Sequence, residues 1–237
     1  MGVASSTTTE RGAHVATTAI LSEWRSHRFG KVSRTTLYTI VRLEDEWVLE
    51  ARADRSASAL LRDVVVDPRK TRFVSWEWRV SKSLEAADCT SKSGDDCAAR
   101  IMILYRYDPN RAGFFERRWF EREKARTGKY PPGAMLVYGW VEGALDDAVV
   151  TSPYSDRVRL IPVRRGDKVA GKWVAESRNH LEDYRRAFGE DPPPVEAVAI
   201  MVDTDNTETR TVSWFRSVAL SSKDSKKADN GERRGHR

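Results

Sequence analysis

The eight residues Phe73–Val80 alternate strictly: Val74, Trp76, Trp78 and Val80 share one parity, and Ser75, Glu77 and Arg79 the other. Successive side chains leave a strand on opposite sides, so the pattern requires a sheet with one apolar and one polar face. Large aromatics on an apolar strand face are usually core, which assigns Trp76 and Trp78 to the interior. Short strands divided by turn signals continue along the chain. Leu37–Leu43 and Trp47–Arg52 flank an acidic Glu44-Asp45-Glu46 turn, and Ala59–Val66 stops at Asp67-Pro68. Ala99–Tyr107, Met135–Val141, Arg157–Val163 and Lys172–Ser177 follow, and Val195–Leu220 holds two more strands around a polar turn. About ten strands at short spacing predict an all-β fold, an antiparallel β-sandwich of jelly-roll type.

One or two short helices interrupt the pattern. Gly113–Gly128 is charged and helical in spacing, with Phe115 and Trp119 at i, i+4 as an aromatic stripe expected to pack on the sandwich. Asn179–Gly189 has a capping Asn at its start and Gly at its end, with Pro192–Pro194 after it. The chain of 237 residues thus divides into a segment 1–19, one β-sandwich domain over 20–222, and a basic tail over 223–237. That tail carries Lys223, Lys226, Lys227, Arg233, Arg234 and Arg237 against Asp224, Asp229 and Glu232, so it holds about half of the net charge of +6. Its composition is that of a solvated, disordered end. No segment approaches the roughly 18 consecutive apolar residues of a membrane helix. Residues 1–16 are small and polar without the apolar core of a secretory signal. Either the protein is cytoplasmic, or its signal lies outside this sequence. Cys89 and Cys97 lie in a Ser/Gly/Asp-rich loop. They are able to close a disulfide in an oxidising compartment and remain thiols in a reducing one.

The chemistry concentrates in a few places. Val198–Val202 runs into Asp203-Thr204-Asp205-Asn206-Thr207, where Asp203, Asp205 and Asn206 are the candidate oxygen ligands for a structural calcium. Two carboxylates and one amide fall short of six to eight ligands, and the alternative is a turn whose side chains bond the local backbone. Asp95 and Asp96 follow Gly94 and precede the strand carrying Arg100, while Arg79 lies on the polar parity of its own strand. If those strands are neighbours, Arg79, Arg100, Asp95 and Asp96 converge on one sheet face, as an ion-pair network or as a site for a hydroxyl-rich ligand. Tyr138, Trp140 and Tyr154 are candidate stacking residues at a rim. No nucleophile motif and no phosphate loop is present. Asp183, beside Glu182, and His180 are the remaining acid/base candidates.

Several stretches, taken in order, resemble one bacterial family of unknown function, domain-of-unknown-function family 3047. They are Ser58-Ala59-Leu60-Leu61, Trp76-Glu77-Trp78-Arg79-Val80, Gly94-Asp95-Asp96 with Ala98-Ala99-Arg100, and Tyr138-Gly139-Trp140. Arg178-Asn179 with Asp183-Tyr184, Phe188-Gly189 and Asp203–Thr207 complete the set. The resemblance implies a single β-rich domain, often exported, which makes a periplasmic or secreted location the expectation and a cytoplasmic one the alternative; it implies no established activity. The layout is also similar to galactose-binding-like jelly rolls. The function expected from all this is a noncatalytic binding module holding a carbohydrate or related polar ligand on one sheet face. Arg79, Asp95, Asp96, Arg100 and Asp183 would supply hydrogen bonds, and Tyr138, Trp140 or Tyr154 stacking. No specific nucleic-acid partner is expected. The alternatives are an enzyme on polysaccharide or envelope material, using Asp95, Asp96, Asp183 or His180, and an envelope scaffold.

Overall fold

A computed structural model describes residues 23–143 and 149–225. The expected N-terminal segment 1–19 and most of the basic tail lie outside the described residues.

Among the described residues twelve strands form two sheets, mostly antiparallel. They are β1 (Arg25–Arg28), β2 (Leu37–Leu43), β3 (Glu46–Asp54), β4 (Ala57–Val66), β5 (Phe73–Val80) and β6 (Cys97–Tyr105). After helix α1 (Phe114–Thr127) come β7 (Ala134–Val141), β8 (Val150–Ser152), β9 (Ser155–Arg165) and β10 (Val174–Asn179). Helix α2 (His180–Phe188), β11 (Val195–Asp203) and β12 (Arg210–Ser221) follow. The seven-stranded sheet runs β1-β4-β11-β6-β7-β9-β8 and the five-stranded sheet β10-β5-β12-β3-β2. The β7–β9 pair is parallel, the one exception to antiparallel pairing among the described strands.

The core lies between the sheets. Trp76 of β5 stacks on Tyr138 of β7 at 5.3 Å, and Trp78 meets Trp140 edge-on at 5.6 Å. Tyr138 and Trp140 are therefore interior residues, both 0% exposed, and not the rim aromatics expected. The physical reason is position: β7 lies between β6 and β9, and its even parity faces the opposite sheet, just as that of β5 does. The polar tips of Tyr138 and Trp140 are satisfied, while the indole nitrogens of Trp76 and Trp78 have no hydrogen-bond partner among the described residues. The Tyr138 hydroxyl donates to Asp183 at 3.0 Å, and the Trp140 indole donates to the Gly166 carbonyl at 3.0 Å.

The β2–β3 hairpin turns through Glu44 and Asp45, both with positive φ (52° and 65°), the conformation that matches strand twist in a tight hairpin. Helix α2 is capped as its sequence predicts: the Asn179 side chain accepts from the Glu182 amide, and Gly189 adopts φ 75°. Helix α1 departs from expectation. Its buried anchor is Phe120, stacked on Tyr107 at 3.6 Å, while Phe115 faces outward and Trp119 is partly covered by Arg157 and the Phe120 ring.

Candidate functional site

The end of β11 is where the loops gather. Flanked by β4 and β6, β11 is buried on both faces and reads as an almost continuous apolar run. It ends at Asp203, registered against Cys97 of β6 and Ala57 of β4. Asp203 is buried and surrounded by donors. Its Oδ1 accepts from the Cys97 amide (3.1 Å) and Arg100 Nε (3.0 Å), and its Oδ2 accepts from Arg100 Nη2 at 2.7 Å. The same Nη2 donates to the Asp95 carboxylate at 3.0 Å and to its carbonyl at 2.9 Å. Burial raises the Asp203 carboxyl, Arg100 pulls it back, and Asp96 and Asp95 raise it, to about 7 in all. Burial opposes the Arg100 charge, yet the facing carboxylates outweigh it and hold Arg100 well above its ordinary range.

Asp96 ties the next loop. It accepts from the Thr207 amide (2.7 Å), the Thr207 hydroxyl (2.6 Å) and the Asn206 amide (3.3 Å). Asp205 is partly buried, and burial raises its carboxyl, with Asp96 adding to the effect. One carboxylate oxygen each of Asp96, Asp203 and Asp205 lies within 4.8 Å of the others. Tyr154, from the β8–β9 turn, closes the rim. Its hydroxyl donates to the Lys92 carbonyl (2.9 Å) and accepts from Asn206 Nδ2 (3.1 Å), while its ring remains 58% exposed. Gly94 makes this loop possible: a Cβ there would sit 2.8 Å from the Asp88 amide nitrogen, where the two residues form a β-bridge.

Beside this cluster opens a polar cleft of about 340 Å³, lined by Lys31, Ser33, Arg34, Arg55, Asp205 and Glu208, with Val32. Arg55 and Glu208 both hold positive φ (48° and 53°), a conformation that costs a non-glycine residue about 1 kcal/mol or more. Sequence reasoning missed the cations of this cleft and also Thr207. The one available signal was Asp54-Arg55-Ser56, a charged break between two apolar runs.

Asp95, Asp96, Arg100, Tyr154, Asp203, Asp205 and Asn206 thus come together. The other expected residues do not. Arg79 lies on the outer face of the five-stranded sheet, bonded to Glu44 at 2.8 Å and stacked over Trp214. Arg100 belongs to the seven-stranded sheet, so the two arginines share no face, and the expected single sheet face is replaced by a loop rim. Asp183 is an interior acceptor, holding the Tyr138 hydroxyl and both Nε (2.9 Å) and Nη2 (2.7 Å) of Arg178. His180 is fully buried: its Nε2 donates to the Thr71 carbonyl (2.7 Å) and its Nδ1 accepts from the Tyr105 hydroxyl (3.0 Å). Burial lowers its pKa, so the ring is neutral with no free nitrogen for a substrate. The acid/base set Asp95, Asp96, Asp183 and His180 is therefore split between a loop network and an interior one, with no shared partner among the described residues. Asn206 directs its amide nitrogen to Tyr154 and to the Lys92 carbonyl (2.7 Å), outward from the carboxylates. Cys89 and Cys97 are unbonded buried thiols in one apolar cluster with Val137 and Leu160, and burial raises both.

Fold and site together define a two-sheet β-sandwich with a charged, loop-built rim at one end. The chain belongs to the family described as "Protein of unknown function (DUF3047)", whose sequence profile matches residues 22–219. No curated protein sequence matches it. A solved structure titled "CBM4 structure and function" is similar at 10% identity and a TM-score of 0.32, over 85% of this chain and 95% of that one.

Proposed function

We propose that this domain is a noncatalytic binding module that takes a carbohydrate or related polyhydroxyl ligand at the loop rim around Tyr154 and Asp205. The observation that supports this most directly is an exposed tyrosine hydrogen-bonded to Asn206, the residue next to Asp205, which lines an open cleft of mixed charge. The ring offers an apolar face to a sugar ring. Arg34, Arg55, Lys31, Asp205 and Glu208 offer planar and point donors beside carboxylate acceptors, the set that hydroxyl groups in both roles require. The network of Arg100, Asp203, Asp95 and Asp96 fixes the loops beneath without facing the ligand. A periplasmic or secreted setting, drawn from the family resemblance, is part of the same proposal.

A glycan array followed by calorimetry on the full chain tests it. Binding by wild type, at least tenfold weaker in Tyr154→Ala and in Arg55→Ala with unchanged thermal midpoints, is the expected result. A folded wild type that binds no glycan, or binds one equally well in both variants, overturns it.

A structural calcium is a second reading, favoured by the three carboxylate oxygens of Asp96, Asp203 and Asp205. Arg100 already supplies a positive charge there, so the reading is of a weak site of about millimolar affinity. A calcium-dependent rise in thermal midpoint that is lost in Asp205→Asn supports it; identical midpoints in calcium and in chelator remove it.

A further inference from the structure

We propose that the outward face of α1 docks on an anionic lipid surface. Successive helical residues are about 100° apart, so each side chain of Phe114–Thr127 has a defined bearing. Phe120 and the half-buried Glu116 and Glu123 mark the side facing the body. Glu116 is fixed there by Arg157 at 2.9 Å. The opposite arc carries Phe114, Arg118, Arg122 and Phe115, all exposed; at its margins lie Glu121, bonded to the Tyr130 hydroxyl, Arg126, paired with Glu123, and Trp119, under Arg157. Phe115 is 85% exposed and Phe114 67%, more than an anchored helix leaves open when its aromatics serve the fold. The anchor is a different ring, Phe120, so the outward aromatics are not needed to hold the helix in place.

Charge complementarity identifies the occupant. Among the described residues no ion pair joins Arg118 or Arg122 to a carboxylate, and Arg118 lies over the Phe114 ring at 5.9 Å. Interleaved rings and guanidiniums on one helical face match the boundary of an anionic bilayer, where aromatic rings sit at headgroup depth and arginines meet phosphates. Single-stranded nucleic acid offers the same phosphates, but it is held in grooves whose walls carry the stacking rings. These rings project from a convex helix. Docking here is separate from ligand binding at the Tyr154 rim, and neither requires the other.

The test is sedimentation of the full chain with phosphatidylcholine vesicles, with and without phosphatidylglycerol, beside anisotropy with a labelled single-stranded oligonucleotide. The expected result is binding only to the phosphatidylglycerol vesicles, weakening with added salt. Arg118→Gln and Arg122→Gln each lower the partition about fivefold, and the pair Phe114→Ser with Phe115→Ser removes binding. Arg28→Gln, an exposed cation on β1, leaves it unchanged. Matching circular dichroism of all variants shows that they are folded, and the basic tail is common to all of them. No sedimentation with anionic vesicles overturns the proposal. So does vesicle binding indifferent to the α1 variants, and so does binding of the oligonucleotide in preference to vesicles.

Discussion

Asp203 shows how a single buried carboxylate ties the end of β11 to β6 and, through Arg100, to the Asp95 loop. Taking a charge out of water is costly unless partners replace the lost solvation, and here Arg100 and the Cys97 amide do so. Asp203→Asn keeps the shape and removes the charge, leaving a buried guanidinium with Asp95 as its remaining carboxylate. The expected loss is about 3 kcal/mol or more in urea unfolding at mildly alkaline pH, above the Asp203 titration, where the carboxylate is charged; a loss below about 1 kcal/mol would rank the pair with surface ion pairs. His180 makes a second prediction at this scale. Burial holds its folded pKa below the ordinary 6.5. Above pH 6.5 both folded and unfolded rings are neutral and the group has no effect. As pH falls through 6.5 the unfolded ring gains a proton that the folded ring resists, so stability falls with acid. His180→Gln, which can still donate to the Thr71 carbonyl and accept from Tyr105, should flatten the decline between about pH 6.5 and 5. An unchanged profile would assign the acid sensitivity to other groups.

Elements differ in how firmly they join the sandwich. Helix α1 is held through Phe120, Tyr107, Ala112 and Tyr130, a small cluster apart from the inter-sheet core. Phe120→Ala should therefore cost about 3 kcal/mol locally, seen as lost amide protection over 114–127 with β5, β6 and β11 still protected. Equal loss of protection in those strands would show that helix and sandwich unfold together. The loop 88–96 depends on Gly94 in a comparable way. Gly94→Ala forces the chain off the Asp88 backbone and should loosen the Asp96 contacts to Thr207, again by hydrogen exchange. Phe73–Val80 is legible because it buries one parity; its bounds and those of Leu37–Leu43 match to the residue, and the helices match at their caps, Gly113 and Gly128, Asn179 and Gly189. β1 and β8 are not legible, since Arg-Ser-His-Arg and a three-residue strand carry no alternation. Parity names a face but not a sheet, which is why Arg79 and Arg100 were expected together. It also leaves in and out undetermined, which is why Tyr138 and Trp140 were placed at a rim. The Asp95–Arg100 and Asp203–Thr207 segments were legible as polar chemistry, but their junction depends on β6 and β11 being neighbours, which only the sheet order shows.

At the scale of the molecule, the two sheets close an aromatic and aliphatic core, and the strand ends raise a charged rim at one edge. Two surfaces are left with chemistry the fold does not use: the cleft by Tyr154 and the outer arc of α1. No described helix is long and apolar enough to cross a membrane. The central claim is that ligand meets the protein at the rim and not on a sheet face. Amide chemical-shift mapping with a bound oligosaccharide tests this most directly. The account predicts perturbations clustered at Lys31–Arg34, Arg55, Lys92, Tyr154 and Asp205–Glu208. Perturbations clustered instead at Arg79, Trp173 and Trp214 on the five-stranded sheet, or none with any saccharide offered, would contradict it.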